Sequence, residues 1–364
     1  MNQKKTWLLA AVTVLVLAAG VILSLHRAGK HADLGGTEVF ADLEKSLSDV
    51  NEIRLSKGDG SRATLRKAEN GWQVVERGFP ADSARVRELA LGLANLRVVE
   101  RKTSDPANYA KLGVEDPDSP TAAGTLVEVA GATTTWSLIV GKSAESRALY
   151  VRKPGEAQAL LASPFLTVDP DQKRWLDRLI ADIPGASVHE IAVKTGKGPA
   201  YLLRRSERGA TDMVLTPVPR GRQAASSMSL ASQAEALGAL NFDDLRKLPE
   251  PAPATPDTAT YRLFDGQVLE FRGRRDGDKA FVTVAARRDP ALAAQFATPA
   301  PSATEAATQG ESPVAGAPAT PETAAADRTV ERLENRASGV EFEIPVYKYE
   351  AIFKPHEELF EPKG

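Results

Sequence analysis

The chain has 364 residues, with 48 acidic and 46 basic side chains, a formal charge of −2 and no cysteine. Mixed charge near zero gives no global field for nucleic acid. The missing thiols exclude disulfides, thiolate nucleophiles and zinc–cysteine sites.

Trp7 to Leu25 is an apolar run without a charge, with Lys4 and Lys5 before it and Arg27 and Lys30 after it. As a helix it would cover roughly 28 Å, close to the thickness of a bilayer's hydrocarbon layer. It reads as an uncleaved anchor over residues 1–31. The rival reading is a cleaved signal peptide, because Ala18-Ala19-Gly20 supplies small residues. Either way the expected location of the bulk is periplasmic or otherwise extracytoplasmic, on a single-pass inner-membrane protein. Roughly 330 residues remain, enough for two domains.

Residues 32–47 form a polar approach with some helix potential. Val50–Leu55 alternates as a half-buried strand should, Gly58-Asp59-Gly60 marks a hairpin turn, and Ala63–Arg66 and Trp72–Val75 continue the meander. Asp82 or Ser83 caps a helix with Val86, Leu89, Ala90 and Leu93 on one face. Val98-Val99 returns to extended chain and Leu112–Pro117 makes a compact turn. Strands are expected at Thr125–Val129, Trp136–Val140, Leu149–Arg152 and Gln158–Leu161, then a helix over Asp169–Ile180.

The plan then recurs. VNEIRLSKGDGSRATLRK from Val50 returns as VHEIAVKTGKGPAYLLRR from Val188, and TLVEVAG ending at Gly131 returns as TYRLFDG ending at Gly266. Strands are expected at Val188–Val193, Tyr201–Arg204, Met213–Leu215, Thr260–Leu263, Val268–Phe271 and Phe281–Ala285, with a helix around Leu230–Leu240. An insertion at about 298–326, almost wholly Ala, Pro, Thr, Ser, Gly and Glu, lacks the apolar side chains that offset ordering entropy and is expected to be disordered. Val340–Tyr347 is expected as a strand. The fold class is α+β: an N-terminal helix, then two modules, 32–184 and 185–364, of antiparallel sheet with covering helices. The repeat keeps apolar pattern and turns but no evident polar cluster, which points to a scaffold.

No residue is put forward as catalytic, cofactor-binding or metal-ligating, and no cofactor is expected. IVGKS at Ile139–Ser143 lacks the glycine five residues before Gly141 that a phosphate loop needs, since Trp136 stands there. Gly196 and Gly198, with Lys194 and Lys197, read as a hairpin turn. His26, His31, His189 and His356 show no metal-ligand spacing. Glu115-Asp116 and Asp243-Asp244 read as turn and cap residues. Asp169, Asp171 and Asp177 near Trp175 make the most site-like mixed cluster, although a cap and an amphipathic helix also account for them. Arg204, Arg205, Arg208, Arg220 and Arg222, with Arg272, Arg274, Arg275, Arg287 and Arg288, form a local basic excess with solvent-facing strand positions as the default reading. Trp72 and Trp136 read as core or rim side chains.

The ordered set VNEIRLS…GW, PADSARVRELALGLANL, KTSDPANYAKLGVEDP and LIVGKS…LYVRK resembles the uncharacterised membrane-protein family called domain of unknown function 4340, over most of the chain after the anchor. The resemblance implies an anchored extracytoplasmic protein accompanying ABC-type transporters of the gliding-motility kind. The expected function is an accessory or binding protein. Its expected partners are the membrane, through the N-terminal helix, and an ABC transporter permease or other envelope subunits, with no nucleic acid. The alternatives are a periplasmic hydrolase or carbohydrate-active enzyme using Asp and Glu, and a structural envelope protein.

Overall fold

The computed structural model describes residues 36–144, 147–251, 257–296 and 321–361, with side chains from 329 onward in the last segment. The apolar run Trp7–Leu25, His26, His31 and most of the Pro/Ala-rich insertion lie outside the described residues. No helix among the described residues is long and apolar enough to cross a membrane. The chain divides at Asp177–Arg178 into two compact units. The fold is mixed α and β, mostly β, with antiparallel sheets.

The first unit contains β1 (Glu52–Lys57), β2 (Arg62–Ala68), β3 (Gly71–Val74), β4 (Phe79–Pro80), α1 (Ser83–Ala94), β5 (Arg97–Arg101), α2 (Tyr109–Leu112), β6 (Thr125–Ala130), β7 (Thr135–Ala144), β8 (Ala148–Arg152) and β9 (Ala159–Ser163). They pair in the order β4-β3-β2-β1-β6-β7-β8-β9-β5. Alternation sets the faces: Thr125, Val127 and Val129 of β6 are buried while the residues between them are half-exposed. At the β1–β2 turn Gly60 has φ +90°, and Asp59 Oδ1 accepts from Ser61 N at 2.8 Å. Asp82 caps α1 by accepting from Ala84 N and Arg85 N, and Val86, Leu89, Leu93 and Ala94 are buried.

β4 and β5 are opposite edges of the sheet, yet α1 and two residues at each end join them. Twelve helical residues span about 18 Å, and the links at the two ends add at most about 10 Å each, so the connection just matches the roughly 38 Å of eight flat strand spacings. Val86, Leu89, Leu93 and Ala94 of α1 are buried with the sheet residues Ile53, Leu55, Leu65 and Leu138.

The second unit contains β10 (Leu179–Ala181), β11 (Val188–Lys194), β12 (Tyr201–Arg204), β13 (Val214–Thr216), α3 (Ser227–Ala231), β14 (Leu240–Asn241), β15 (Asp244–Lys247), β16 (Asp257–Leu263), β17 (Gln267–Asp276), β18 (Lys279–Arg288), α4 (Pro290–Gln295), α5 (Pro321–Ala337), β19 (Val340–Ile344) and α6 (Val346–Ile352). Its main sheet runs β13-β12-β11-β16-β17-β18-β19-β15, and β10 pairs with β14 in a separate ribbon. From β13 to β15 the connections follow those from β3 to β5 in the first sheet. The core here is aromatic: Tyr261 and Phe271 meet edge to face at 5.8 Å.

Four expectations need correction. Asp169–Ile180 is a single 3-10 turn, Gln172–Trp175, followed by β10, because Asp171 caps only that turn and Leu176 continues into a bridge with Ala81. The helix expected at Leu230–Leu240 is α3 plus a 3-10 turn, Ser232–Leu237, and ends before β14. The strand expected to Tyr347 stops at Ile344, since Pro345 precedes α6. Residues 321–326, expected as part of the disordered insertion, begin α5, whose Val330, Leu333 and Ala337 are buried and which packs on β18.

Candidate functional site

Asp82 starts α1 at Ser83, so Arg85, Glu88 and Leu89, and Gly92 recur at helical spacing along one stripe. That stripe faces the segment Pro164–Asp169 and the turn that carries Arg174 and Trp175, enclosing a groove of about 620 Å³. Helix and loop approach closely at Gly92, where a Cβ would lie 2.4 Å from Leu166 Cδ2. Trp175 forms a buried wall, and Phe165 stands 46% exposed at the rim.

Most polar groups in the groove already have partners. Asp169 Oδ1 accepts from Asp171 N at 2.9 Å, its Oδ2 lies 3.2 Å from Arg174 Nε, and its carbonyl accepts from Trp175 Nε1 at 2.7 Å. Asp171 Oδ1 accepts from Lys173 N at 3.0 Å. Arg85 donates to the Arg174 carbonyl at 3.1 Å and pairs with Asp82. The expected cluster is thus split: Asp169 and Trp175 line the groove, Asp171 caps its turn, and Asp177 donates its backbone N–H to Pro80 without lining the groove. Arg85, Glu88, Phe165 and Leu166 were not singled out in the sequence. The pair Pro164-Phe165 was the available signal.

The other motifs resolve into structure. Gly141 lets β7 pass the α2 turn, because a Cβ there would lie 2.4 Å from the Leu112 carbonyl oxygen. Gly196 N donates to Asp257 Oδ1 at 2.9 Å, and Gly198 has φ +96°. Asp116 pairs with the buried Arg152 at 2.8 Å, Asp243 with Arg178 at 2.5 Å, and Asp244 Oδ1 accepts from Leu245 N at 2.8 Å. Trp72 and Trp136 are half-buried. His356 is buried, with Nε2 3.2 Å from the Pro217 carbonyl.

The arginine excess is largely consumed by pairing. Arg272 meets Glu270, Arg275 meets Glu350, Arg222 meets Glu357, and the buried Arg205 donates to the carbonyls of Ala210 and Gly185. Arg246 and Arg274 clamp the buried Glu341 and stack on Phe281.

One polar pair does recur, although no polar cluster was evident in the repeat as read from the sequence. Glu52 on β1 lies opposite Arg66 on β2, and Glu190 on β11 lies opposite Arg204 on β12. Glu52 meets Arg66 at 2.7 Å and Arg54 at 2.5 Å, while Glu190 meets Arg204 at 2.5 Å and Arg262 at 3.4 Å. Burial pushes the Glu52 carboxyl up, but hydrogen bonding and charge from Arg66 and Arg54 outweigh it and hold the group below its ordinary range.

Among the described residues no group of three His, Asp or Glu side chains is placed to hold a metal ion. The groove offers an apolar rim and arginine side chains to a ligand, with Asp169 tied into its own loop. No curated protein and no solved structure matches the chain. The model of the family described as domain of unknown function (DUF4340) matches residues 72–263, more than half the chain and starting beyond the first hairpin. The chain belongs to the DUF4340 family.

Proposed function

We propose that this protein is a single-pass, extracytoplasmic accessory or binding protein that works beside an ABC-type transport system. The apolar, charge-free run Trp7–Leu25 supports the anchor. The observation that carries the binding reading is the α1 groove. Exposed Phe165 and the arginines offer contact surface, while Asp169 is occupied by Asp171 N and Arg174. Its mixture of apolar walls and a few polar groups suits recognition. The shared strand order and the recurring Glu–Arg pair support reading the two units as one duplicated module. Purification of the full chain in mild detergent after crosslinking is the test. Transporter subunits should be recovered with it. Recovery of the chain alone under several detergents would overturn the reading.

A hydrolase is the second reading, because Glu88 and Asp169 line the same groove. Its chemistry needs two carboxylates in different environments with one oxygen free to meet substrate. Asp169→Asn abolishing a hydrolytic activity of the purified chain would establish it.

A further inference from the structure

A second pocket, about 460 Å³, lies between α4 and the face of the second sheet opposite the buried Ile191 and Tyr261. A register shift between Val188 and Glu190 lets two consecutive residues, His189 and Glu190, both line it. The imidazole is 9% exposed and stands 5.2 Å from the Phe264 ring and 4.6 Å from the Phe296 ring. Its Nδ1 is buried with no hydrogen-bond partner.

We propose that this pocket binds a neutral, polyhydroxylated ligand about one sugar ring in size. The inference does not depend on the transport-associated reading. Its first support is charge. Arg204 and Arg262 are balanced by Glu190 and Asp289 on the same walls. Burial is the main cause holding the His189 pKa below its ordinary value, reinforced by Arg204 and Arg262 and opposed by the Arg205 backbone and by Glu190. The ring is therefore uncharged at neutral pH. An anion would face two carboxylates and a cation two guanidiniums.

Its second support is hydrogen-bonding capacity. Arg262 reaches Glu190 through Nε at only 3.4 Å, and a guanidinium with five N–H donors retains capacity beyond that one contact. The exposed Gln295 amide has no partner among the described residues. Asp289 spends Oδ1 on capping α4 through Leu292 N at 3.1 Å, which leaves Oδ2. Free donors and free acceptors thus face one cavity without net charge. Hydroxyls, which both donate and accept, satisfy such a set, and the Phe296 ring offers a face for ring C–H groups. An apolar ligand would strand these polar groups.

The test uses the full chain in mild detergent, with methyl β-D-glucopyranoside and N-acetyl-D-glucosamine as probes and benzoate and inorganic phosphate as counter-probes. Saturation-transfer NMR and calorimetry should give millimolar binding for at least one sugar. Gln295→Ala and Arg262→Lys should each weaken it at least about fivefold, by removal of hydrogen bonds to hydroxyls. Arg262→Lys keeps a cation beside Glu190, and Gln295 is exposed, so neither change threatens the fold. Preference for benzoate or phosphate, absence of sugar binding at about 50 mM, or sugar binding indifferent to both substitutions would each overturn the proposal.

Discussion

Replacing Glu52 by Gln probes the polar pair that both units share. The carboxylate is 7% exposed and meets Arg66 at 2.7 Å and Arg54 at 2.5 Å. Hydrogen bonds to charged groups contribute about 1.5–3 kcal/mol each. Both arginines are half-exposed, so solvent screening lowers that figure, and Glu52→Gln should cost about 1–2 kcal/mol at pH 7. The folded carboxyl is held below its ordinary value of 4.5. Its contribution is therefore present above that value and is lost as pH falls through the lower folded one. Urea unfolding of the wild-type and variant chains, followed by tryptophan fluorescence from neutral to acid pH, reads this directly. The gap should be full at pH 7 and close only below about pH 4.5. Equal midpoints at pH 7, or a gap that persists undiminished in acid, would refute the assignment.

Two further substitutions test the fold around the sites. Gly141→Ala forces a Cβ against the Leu112 and Gly113 carbonyls, which cannot rotate away. It should destabilise the first unit by about 1–3 kcal/mol, read as a lower urea midpoint. Leu333→Ala removes a buried side chain from the α5 contact with β18. It should cost about 2–5 kcal/mol, and amide exchange in α5 should rise before exchange in β11 or β16 does.

Strand alternation and turn residues made most of both sheets legible. β1, β2 and β6, with β11, β12 and β16 in the second unit, fall where apolar residues alternate and Gly marks the turns. α1 was legible through its Asp82 cap and its apolar stripe. α5 was not, because its stretch begins in Ala-rich sequence and its stripe has only Val330, Leu333 and Ala337 to mark it. Asp169–Ile180 misled in the opposite way. Trp175, Leu176, Leu179 and Ile180 match helical spacing, yet the Trp175 indole is pinned to the Asp169 carbonyl and the chain then extends into β10.

The groove escaped sequence reasoning for a different reason. It combines positions 85–92 with 164–175, which are far apart in the chain and meet only in the fold. The polar repeat was there to be found. Glu52 and Arg66 stand at the same separation as Glu190 and Arg204, and cross-strand pairing makes such a separation a contact. His189 has Asn51 as its counterpart, which suggested that the imidazole was dispensable. The bulge that turns it toward Glu190 is visible only in the register.

Recognition at the α1 groove is the central claim, and one comparison tests it most directly. Full-length wild-type chain and a Phe165→Asp variant are crosslinked in the membrane, purified in mild detergent and compared for recovered transporter subunits. Phe165 is exposed, so the change should leave urea stability within about 0.5 kcal/mol of wild type. The account predicts transporter subunits with the wild-type chain and their loss with the variant. Equal recovery from both, or none from the wild type, would contradict it.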